Sequence, residues 1–456
     1  MSVDLDLLVI GAGACGLCAA IAAHDKGLSV AIIEKNDRPG GNSALSTGSV
    51  PAANSRFQRE AGIEDDPERY FRDLMGIAGA TDNEQLVRRM TAVSAETVEW
   101  LIDEVGCEMQ LITAYKHIGH SVQRLHAPKS RRGIDFVNDL VAAVEKRGIP
   151  IAVGNAARKL IVEEGRVCGA VIDTGDGELT EIRTHAVILA SNGFGNNRKL
   201  VERFIPEIAA AQYFGALGSD GEAIEWGEEL GAGLQNMEAY QGYAAVADPH
   251  GSILSWTTIE KGGVIVNANG DRFGDESLGY SGYAKNVLAE GEFSFAIFDQ
   301  RIFEIAMAEE EFAELWEHKG LKKGDTVEEV INAQGIDGKR AAAAVEAYNA
   351  AAAKGEPDAF GRTAYGLAPL QGPFYSCRTV PALFHTQGGL SIDDDARVLR
   401  KDGTPIPGLY AGGGAAAGVS GRAGALGYAS GNGLLTATAL GRLAALAAAK
   451  DINGEA

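Results

Sequence analysis

The clearest pattern of apolar and polar positions lies at the start of the chain. In "DLLVIGAGACGLCAAIAAHDKGLSVAIIEK" an apolar run stops at a glycine turn and gives way to small and apolar residues that end at a charged pair. A second apolar run then closes on Glu34. This reads as strand, tight turn, helix and strand. "THAVILASNGFGNN" repeats the strand followed by a small-residue turn. Near the end, "LLTATALGRLAALAAAK" predicts a helix that begins near Asn432. In the middle, Thr326 and Glu329 have the spacing of a capping box at the start of another helix.

These elements alternate in the manner of an α/β protein. At 456 residues the chain exceeds what one hydrophobic core usually serves, so two domains are expected. Hydrophobic residues make up 46% and charged residues 23%, the balance of a globular protein. The net charge of -21 argues against nucleic acid and anionic membranes as partners. An anionic substrate would need a local cationic patch.

Five scattered cysteines imply no disulfide framework. Cys15 and Cys18 have redox-motif spacing, but they fall in the first turns of a helix where small residues pack on a sheet. No metal-binding pattern is present. The first residues, "MSVDLDLLVIGAG", lack the basic start of a signal peptide. The C-terminal apolar stretch is interrupted by Arg442 and falls short of the roughly 20 residues that span a bilayer. A cytoplasmic location is expected.

Gly11, Gly13 and Gly16 form G-x-G-x-x-G after a strand and at the opening of a helix. The first allows the tight turn, the second lets a pyrophosphate approach the backbone, and the third packs helix on sheet. Free N–H groups at the helix start would face the phosphates. Glu34 is placed for a ribose 2′-hydroxyl. A second glycine- and serine-rich loop, "RPGGNSALSTGS", follows. Together with "THAVILASNGFGNN" it resembles the flavin contacts of two-dinucleotide-fold flavoproteins; no second G-x-G-x-x-G opens a nicotinamide domain, and the resemblance implies FAD as the cofactor.

With Gly11, Gly13, Gly16 and Glu34, the segments "GGNS", "GGVIVNANGDRF", "FHTQGGLSIDDDARV" and "PIPGLYAGG" and the final glycine loop occur in order. The chain thereby resembles the fumarate reductase/succinate dehydrogenase flavoprotein family over nearly its full length. The resemblance implies a Rossmann-like FAD-binding domain, residues 1–240 and 377–456, interrupted by an α+β cap at 241–376, with substrate between the two. It implies cofactor contacts from Gly11, Gly13, Ala14, Gly16, Glu34 and Lys35 on the first turn and strand. Further contacts would come from Gly41, Asn42 and Ser43, from Ser191 and Gly193, and from Gly413, Gly431 and Leu434. No histidine lies between His24 and His117, so the FAD is expected to be non-covalent. Gly414 replaces the family's glutamate.

The family's fumarate reductases hold two carboxylates with cations and deliver a proton from an arginine refilled by a Glu–Arg relay. Here Trp256 and Ile259 align with the relay, Tyr280 with the proton-donating arginine, and Tyr243 with a substrate histidine. His385 matches the second substrate histidine, and Arg422 is a remaining cation in the glycine loop. This exchange of cations for phenols resembles the 3-ketosteroid dehydrogenase branch, nearest to the enzymes that desaturate the 4,5 bond of 5α-steroids. That likeness implies proton abstraction by Tyr280 and Ser430 and carbonyl polarisation by Tyr428. Tyr243, His385 and Arg422 would contact substrate.

The residues themselves leave plainer readings open. Each tyrosine suits a pocket wall with a satisfied hydroxyl, Ser430 suits a helix cap, and His385 suits a structural role. Arg124, His126, Lys129, Arg131 and Arg132 suit a solvated face or a carboxylate-holding loop. The leading expectation is an FAD-dependent dehydrogenase that introduces a C=C bond beside the carbonyl of a cyclic ketone. It would act by α-proton abstraction and hydride transfer to flavin N5, with a separate electron acceptor. The competing expectations are a reductase of an unsaturated acid or enone and a non-catalytic electron-transfer flavoprotein.

Overall fold

The computed structural model describes residues 3–175 and 177–454. The chain divides into two compact units, residues 1–205, 215–240 and 385–456 in the first and 206–214 and 241–384 in the second.

The first unit begins with β1 (Leu5–Ile10), α1 (Ala14–Asp25), β2 (Val30–Glu34) and the short α2 (Gly41–Leu45). After α3 (Pro67–Ala78), α4 (Glu84–Trp100) and α5 (Gly133–Lys146) come β3 (Ile151–Val153), β4 (Ala156–Glu163), β5 (Arg166–Asp173) and β6 (Leu179–Leu189). β1 is buried along its second half and lies parallel between β2 and β6. A strand flanked on both sides by parallel neighbours is buried on both faces, which explains its unbroken apolar run. β4 and β5 form an antiparallel extension from β6.

The second unit contains a mixed sheet with antiparallel pairs at its centre. β7 (Glu238–Ala247) enters it at Gln241, followed by β8 (Val264–Asn267), the one-turn α6 (Gly279–Gly282) and β9 (Ser294–Asp299). α7 (Val327–Asn332) and α8 (Gly338–Lys354) precede β10 (Phe374–Thr386). The sheet order is β8-β9-β10-β7. Thr326 caps α7 by accepting the Glu329 N–H at 3.1 Å, but the Glu329 carboxylate accepts from Asp325 N rather than from Thr326, so the expected box is half formed. The sequence places the return to the first unit at 377, whereas the second unit runs to Phe384. The reason is that β10 continues unbroken, its residues 374–379 paired with β9.

The chain then completes the first unit with β11 (Arg397–Leu399), β12 (Pro405–Ala411) and α9 (Asn432–Asn453). The sheet order becomes β11-β12-β6-β1-β2-β3. α9 crosses α1 at close range, because a Cβ on Gly441 would collide with the Cys15 carbonyl. Cys15 and Cys18 are buried and unpaired, and burial pushes the Cys15 thiol up to about 12. They serve packing. Among the described residues no helix is long and apolar enough to cross a membrane, and no group of metal-binding side chains occurs.

Candidate active site

The turn between β1 and α1 is shaped by contacts that admit no side chain. Gly11 has φ +108, and a Cβ there would run into the Ala190 carbonyl. A Cβ on Gly16 would strike the Gly11 carbonyl. Gly13 differs, since its nearest neighbours are 3.6 Å and 3.7 Å from a built Cβ. Its bareness leaves room for a ligand instead of relieving a clash.

Around this turn Ser43 Oγ accepts the Ala14 N–H at 3.1 Å. Buried Glu34 accepts from Ala12 N at 2.8 Å through Oε2 and from Asn36 N at 2.9 Å through Oε1. Oε1 also accepts from Asn36 Nδ2 at 2.8 Å, so Oε2 is the carboxylate oxygen that retains a lone pair for a hydroxyl donor. Asn42 Oδ1 accepts from Ala216 N at 2.6 Å, which leaves Asn42 Nδ2 buried without a partner. Ser191 Oγ is also buried and unpartnered. Unsatisfied buried donors are costly, and these beside an open glycine cradle suit the polar edges of FAD. The residues present therefore fit the cofactor, which Gly13, Ala14, Glu34, Asn42, Ser43 and Ser191 would hold.

Three expected contacts take another form. The Lys35 ammonium is held by Asp220 at 2.9 Å and Glu222 at 2.5 Å. Burial opposes its charge, but the two carboxylates outweigh that and raise its pKa. A contact from residue 35 is therefore left to its main chain. Gly193 is bare because a Cβ would enter the Thr386 hydroxyl, and Gly413, at φ +58, lies against Cys15. Gly41 opens α2 at φ +52 and Gly431 is the N-cap of α9 at φ +82. Leu434 is buried one turn into α9.

The glycine loop before α9 brings His385 and Tyr428 together in the first unit, their rings 6.3 Å apart and edge to face. His385 Nδ1 donates to the Thr386 carbonyl at 3.1 Å. The Gln387 amide nitrogen is 3.2 Å from both ring nitrogens, a position over the ring face rather than along a lone pair. Ser420 Oγ in turn holds Gln387 Oε1 at 3.0 Å. Burial lowers the His385 pKa despite the Thr386 carbonyl, so the ring is neutral near pH 7 and Nε2 is an acceptor.

Ser430 donates its N–H to Ile118 O at 3.0 Å and receives His120 Nε2 on its carbonyl at 2.8 Å. Because the α9 N-cap is Gly431, Ser430 does not cap that helix. Arg422 is more than half exposed and binds Asp82 at 2.6 Å. As placed it forms a surface ion pair.

In the second unit Tyr280 stands on α6, half-buried. Its ring stacks on Tyr243 at 5.1 Å and meets Trp256 edge-on at 6.3 Å. Tyr243 stacks in turn with Phe384 at 5.0 Å. The Tyr243 hydroxyl donates to the Leu254 carbonyl at 3.0 Å, and burial drives its pKa well up. Tyr243 is thus a wall against Tyr280 with its one O–H in use, not a direct donor.

The backbone before Tyr280 is anchored by fully buried Glu276. This residue receives Arg272 at 2.6 Å, Arg362 at 2.9 Å and the Ile265 N–H at 3.1 Å. After Tyr280, Ser281 Oγ accepts from Gly242 N at 3.0 Å. Trp256 and Ile259 are buried apolar residues, so their positions hold no charged relay.

The basic stretch splits into three environments. Arg124 is fully buried between Asp65 at 2.7 Å and Asp73 at 2.5 Å, and buried His126 meets Ser55 Oγ at 3.0 Å. Lys129 and Arg132 are exposed, while Arg131 turns inward beside His117. Sequence reasoning missed His117, His120 and Asn432, the last with a buried, unpartnered Nδ2 at the start of α9. Nothing in their local pattern marks them, because their surroundings come from α3 and the glycine loop.

A parallel sheet with a glycine cradle, a buried acid closing the second strand and orphaned donors around it defines a flavoprotein. A family model described as FAD binding domain matches residues 6–432, and the chain belongs to that family, the fumarate reductase/succinate dehydrogenase flavoproteins. It is 30% identical over 91% of its length to NADH:fumarate oxidoreductase of Klebsiella pneumoniae (strain 342), spanning 45% of that protein. The open conformation of a flavocytochrome c3 fumarate reductase superposes with a TM-score of 0.84 at 29% identity, covering 98% of this chain and 78% of that one. A 3-ketosteroid-Δ4-(5α)-dehydrogenase from Rhodococcus jostii RHA1, solved with 4-androstene-3,17-dione, gives 0.76 at 25% identity, covering 99% and 98%. The protein is an FAD-binding oxidoreductase with relatives on both the fumarate reductase and ketosteroid dehydrogenase sides.

Proposed function

We propose that this flavoprotein introduces a C=C bond beside the carbonyl of a cyclic ketone. FAD, held non-covalently, supplies the two-electron acceptor for the β C–H. The protein's own part is to hold the carbonyl and take the α proton. Tyr428 donates a hydrogen bond to the ketone oxygen, a contact that strengthens as negative charge gathers there; one such donor is worth about 3 kcal/mol. Tyr280, as its phenolate, receives the proton. A phenol with an ordinary pKa of about 10 is a weak base, so neighbouring charge or hydrogen bonding must assist it.

The observation that carries this reading is the wall around Tyr280. Tyr243, Trp256 and Phe384 stack into an aromatic surface suited to a flat apolar ring. The nearby guanidinium groups of Arg272 and Arg362 are buried on Glu276. Anaerobic addition of a cyclic ketone to the yellow holoprotein tests it, with bleaching as the expected result. A ketone series that leaves the spectrum unchanged would remove this function.

The second reading is the reverse reaction, reduction of an unsaturated acid. It is favoured by the fumarate reductase relatives, and in that direction an ordinary phenol already carries the proton it must give. Re-oxidation of the dye-reduced holoprotein by an enoate, without bleaching by ketones, would select it.

A further inference from the structure

In the first unit, the surroundings of His385 contain a device that the reaction above leaves unexplained. Gln387 is buried, and its side chain folds back over the imidazole with Nε2 3.2 Å from both ring nitrogens. A donor at that range from both nitrogens stands over the ring face, so the amide N–H groups point at the π cloud. The other end of the amide is pinned, because Ser420 Oγ donates to Gln387 Oε1 at 3.0 Å and a Cβ on Gly418 would collide with that oxygen. Its main chain is pinned too. Gln387 N donates to the Ala239 carbonyl and Gly418 N donates to the Gln387 carbonyl, both at 2.8 Å.

This packing selects one protonation state and one tautomer. The ring proton sits on Nδ1, which donates to the Thr386 carbonyl at 3.1 Å. A second proton, on Nε2, would face the Gln387 amide nitrogen, itself a donor, and find no acceptor. Burial lowers the His385 pKa, the Thr386 carbonyl opposes it, and among the described residues no charged group contributes. Tyr428 from the glycine loop is the titratable side chain packed against the ring, and its neighbour on α9 is Gly433.

Nε2 therefore keeps an in-plane lone pair along which no donor from the described residues is bonded. The ring edge that carries it faces Gly433, where a built Cβ would stand 3.4 Å from Cε1 and 3.5 Å from Nε2. The missing side chain leaves room beside the lone pair, and His385 is half-buried. We propose that Gln387, braced by Ser420, is a positioning residue that fixes His385 as a neutral acceptor, and that Nε2 receives a hydroxyl or N–H carried by the ligand. The ligand class is a cyclic ketone with a hydrogen-bond donor away from its carbonyl. This deepens the functional reading and rests on it for the ketone.

Two measurements on the oxidised holoenzyme test the proposal. Ring ¹⁵N NMR of histidine-labelled protein follows His385, identified by the signal lost in His385→Phe. The parent ring is expected in its Nδ1–H form at pH 7, with a midpoint below the ordinary value of about 6.5. Gln387→Met should shift that midpoint upwards, and Ser420→Ala should shift it the same way by less, which decides the matter if the first variant fails to fold. A ring already cationic at pH 7, or a parental midpoint in whichever of these variants folds, overturns the positioning role.

The second measurement titrates 4-hydroxycyclohexanone against 4-fluorocyclohexanone, which keeps the shape and loses the donor, by calorimetry. The hydroxy ketone is expected to bind about ten-fold more tightly, the scale of one neutral hydrogen bond. His385→Phe should abolish that preference and leave the fluoro ketone unchanged. Equal affinities, binding of neither, or a preference that survives in His385→Phe overturns the acceptor site. If the preference holds while no ketone bleaches the flavin anaerobically, the functional reading alone fails, because these affinities are read without turnover.

Discussion

The glycine turn at Gly11–Gly16 and the aromatic stack around Tyr280 are built on opposite plans. At the turn, function is carried by main chain, and the side chains are absent because the Ala190 and Gly11 carbonyls occupy their places. At the stack, the proposed function rests on a side chain whose direction depends on Tyr243, Trp256 and the Glu276 clamp. The first tolerates no added atom at Gly11 or Gly16, whereas the second tolerates loss of a hydroxyl but not of its supports. A site that binds a common cofactor can be written into a few local residues; a site that selects a substrate is assembled from afar.

The largest effect is expected at the turn. Gly16→Val should yield protein without FAD or insoluble protein, seen as loss of the yellow colour, since the β-carbon alone would enter the Gly11 carbonyl. Tyr280→Phe should keep the flavin spectrum and thermal midpoint while turnover falls by about 10²–10⁴-fold, the range for a lost acid–base group. Full activity in that variant would remove Tyr280 from the chemistry.

Glu276→Ala should destabilise the second unit by about 3–5 kcal/mol, because it takes the carboxylate from buried Arg362 and one of two from Arg272, which keeps Asp358 at 2.6 Å; denaturant unfolding measures this. A smaller effect belongs to buried His120 and His126, whose pKa values burial lowers from 6.5 to about 4. The unfolded chain binds protons first, so their contribution is complete above pH 6.5 and declines as pH falls towards 4. Thermal midpoints measured across that window should fall on the acid side, and less steeply in His120→Gln. Arg422→Ala should change stability by under about 1 kcal/mol, as its pair with Asp82 is exposed. A larger loss would restore Arg422 to the site.

The cofactor end of the protein was legible because its signals are local. Gly11, Gly13, Gly16 and Glu34 lie within one strand–helix–strand unit, and the start of α9 at Asn432 was marked by the change from glycine to continuous apolar residues. Other features were read only partly. Tyr243 was singled out, but not that its O–H is taken by Leu254. The sequence shows Arg422 as a cation of the glycine loop, but not its pairing with Asp82, 340 positions away. In the stretch 124–132 the sequence shows five basic residues in a row of similar rank, and the fold alone separates buried Arg124, exposed Lys129 and inward-facing Arg131.

The sequence by itself determined the dinucleotide turn and the α/β class, because each depends on residue type and short spacing. Only the tertiary structure decided which hydroxyls are already in use, which cations are neutralised and which buried polar atoms still lack partners. Hydrogen-bond satisfaction is a property of neighbours in space, and the neighbours of Tyr243, Arg422 and His120 come from distant parts of the chain.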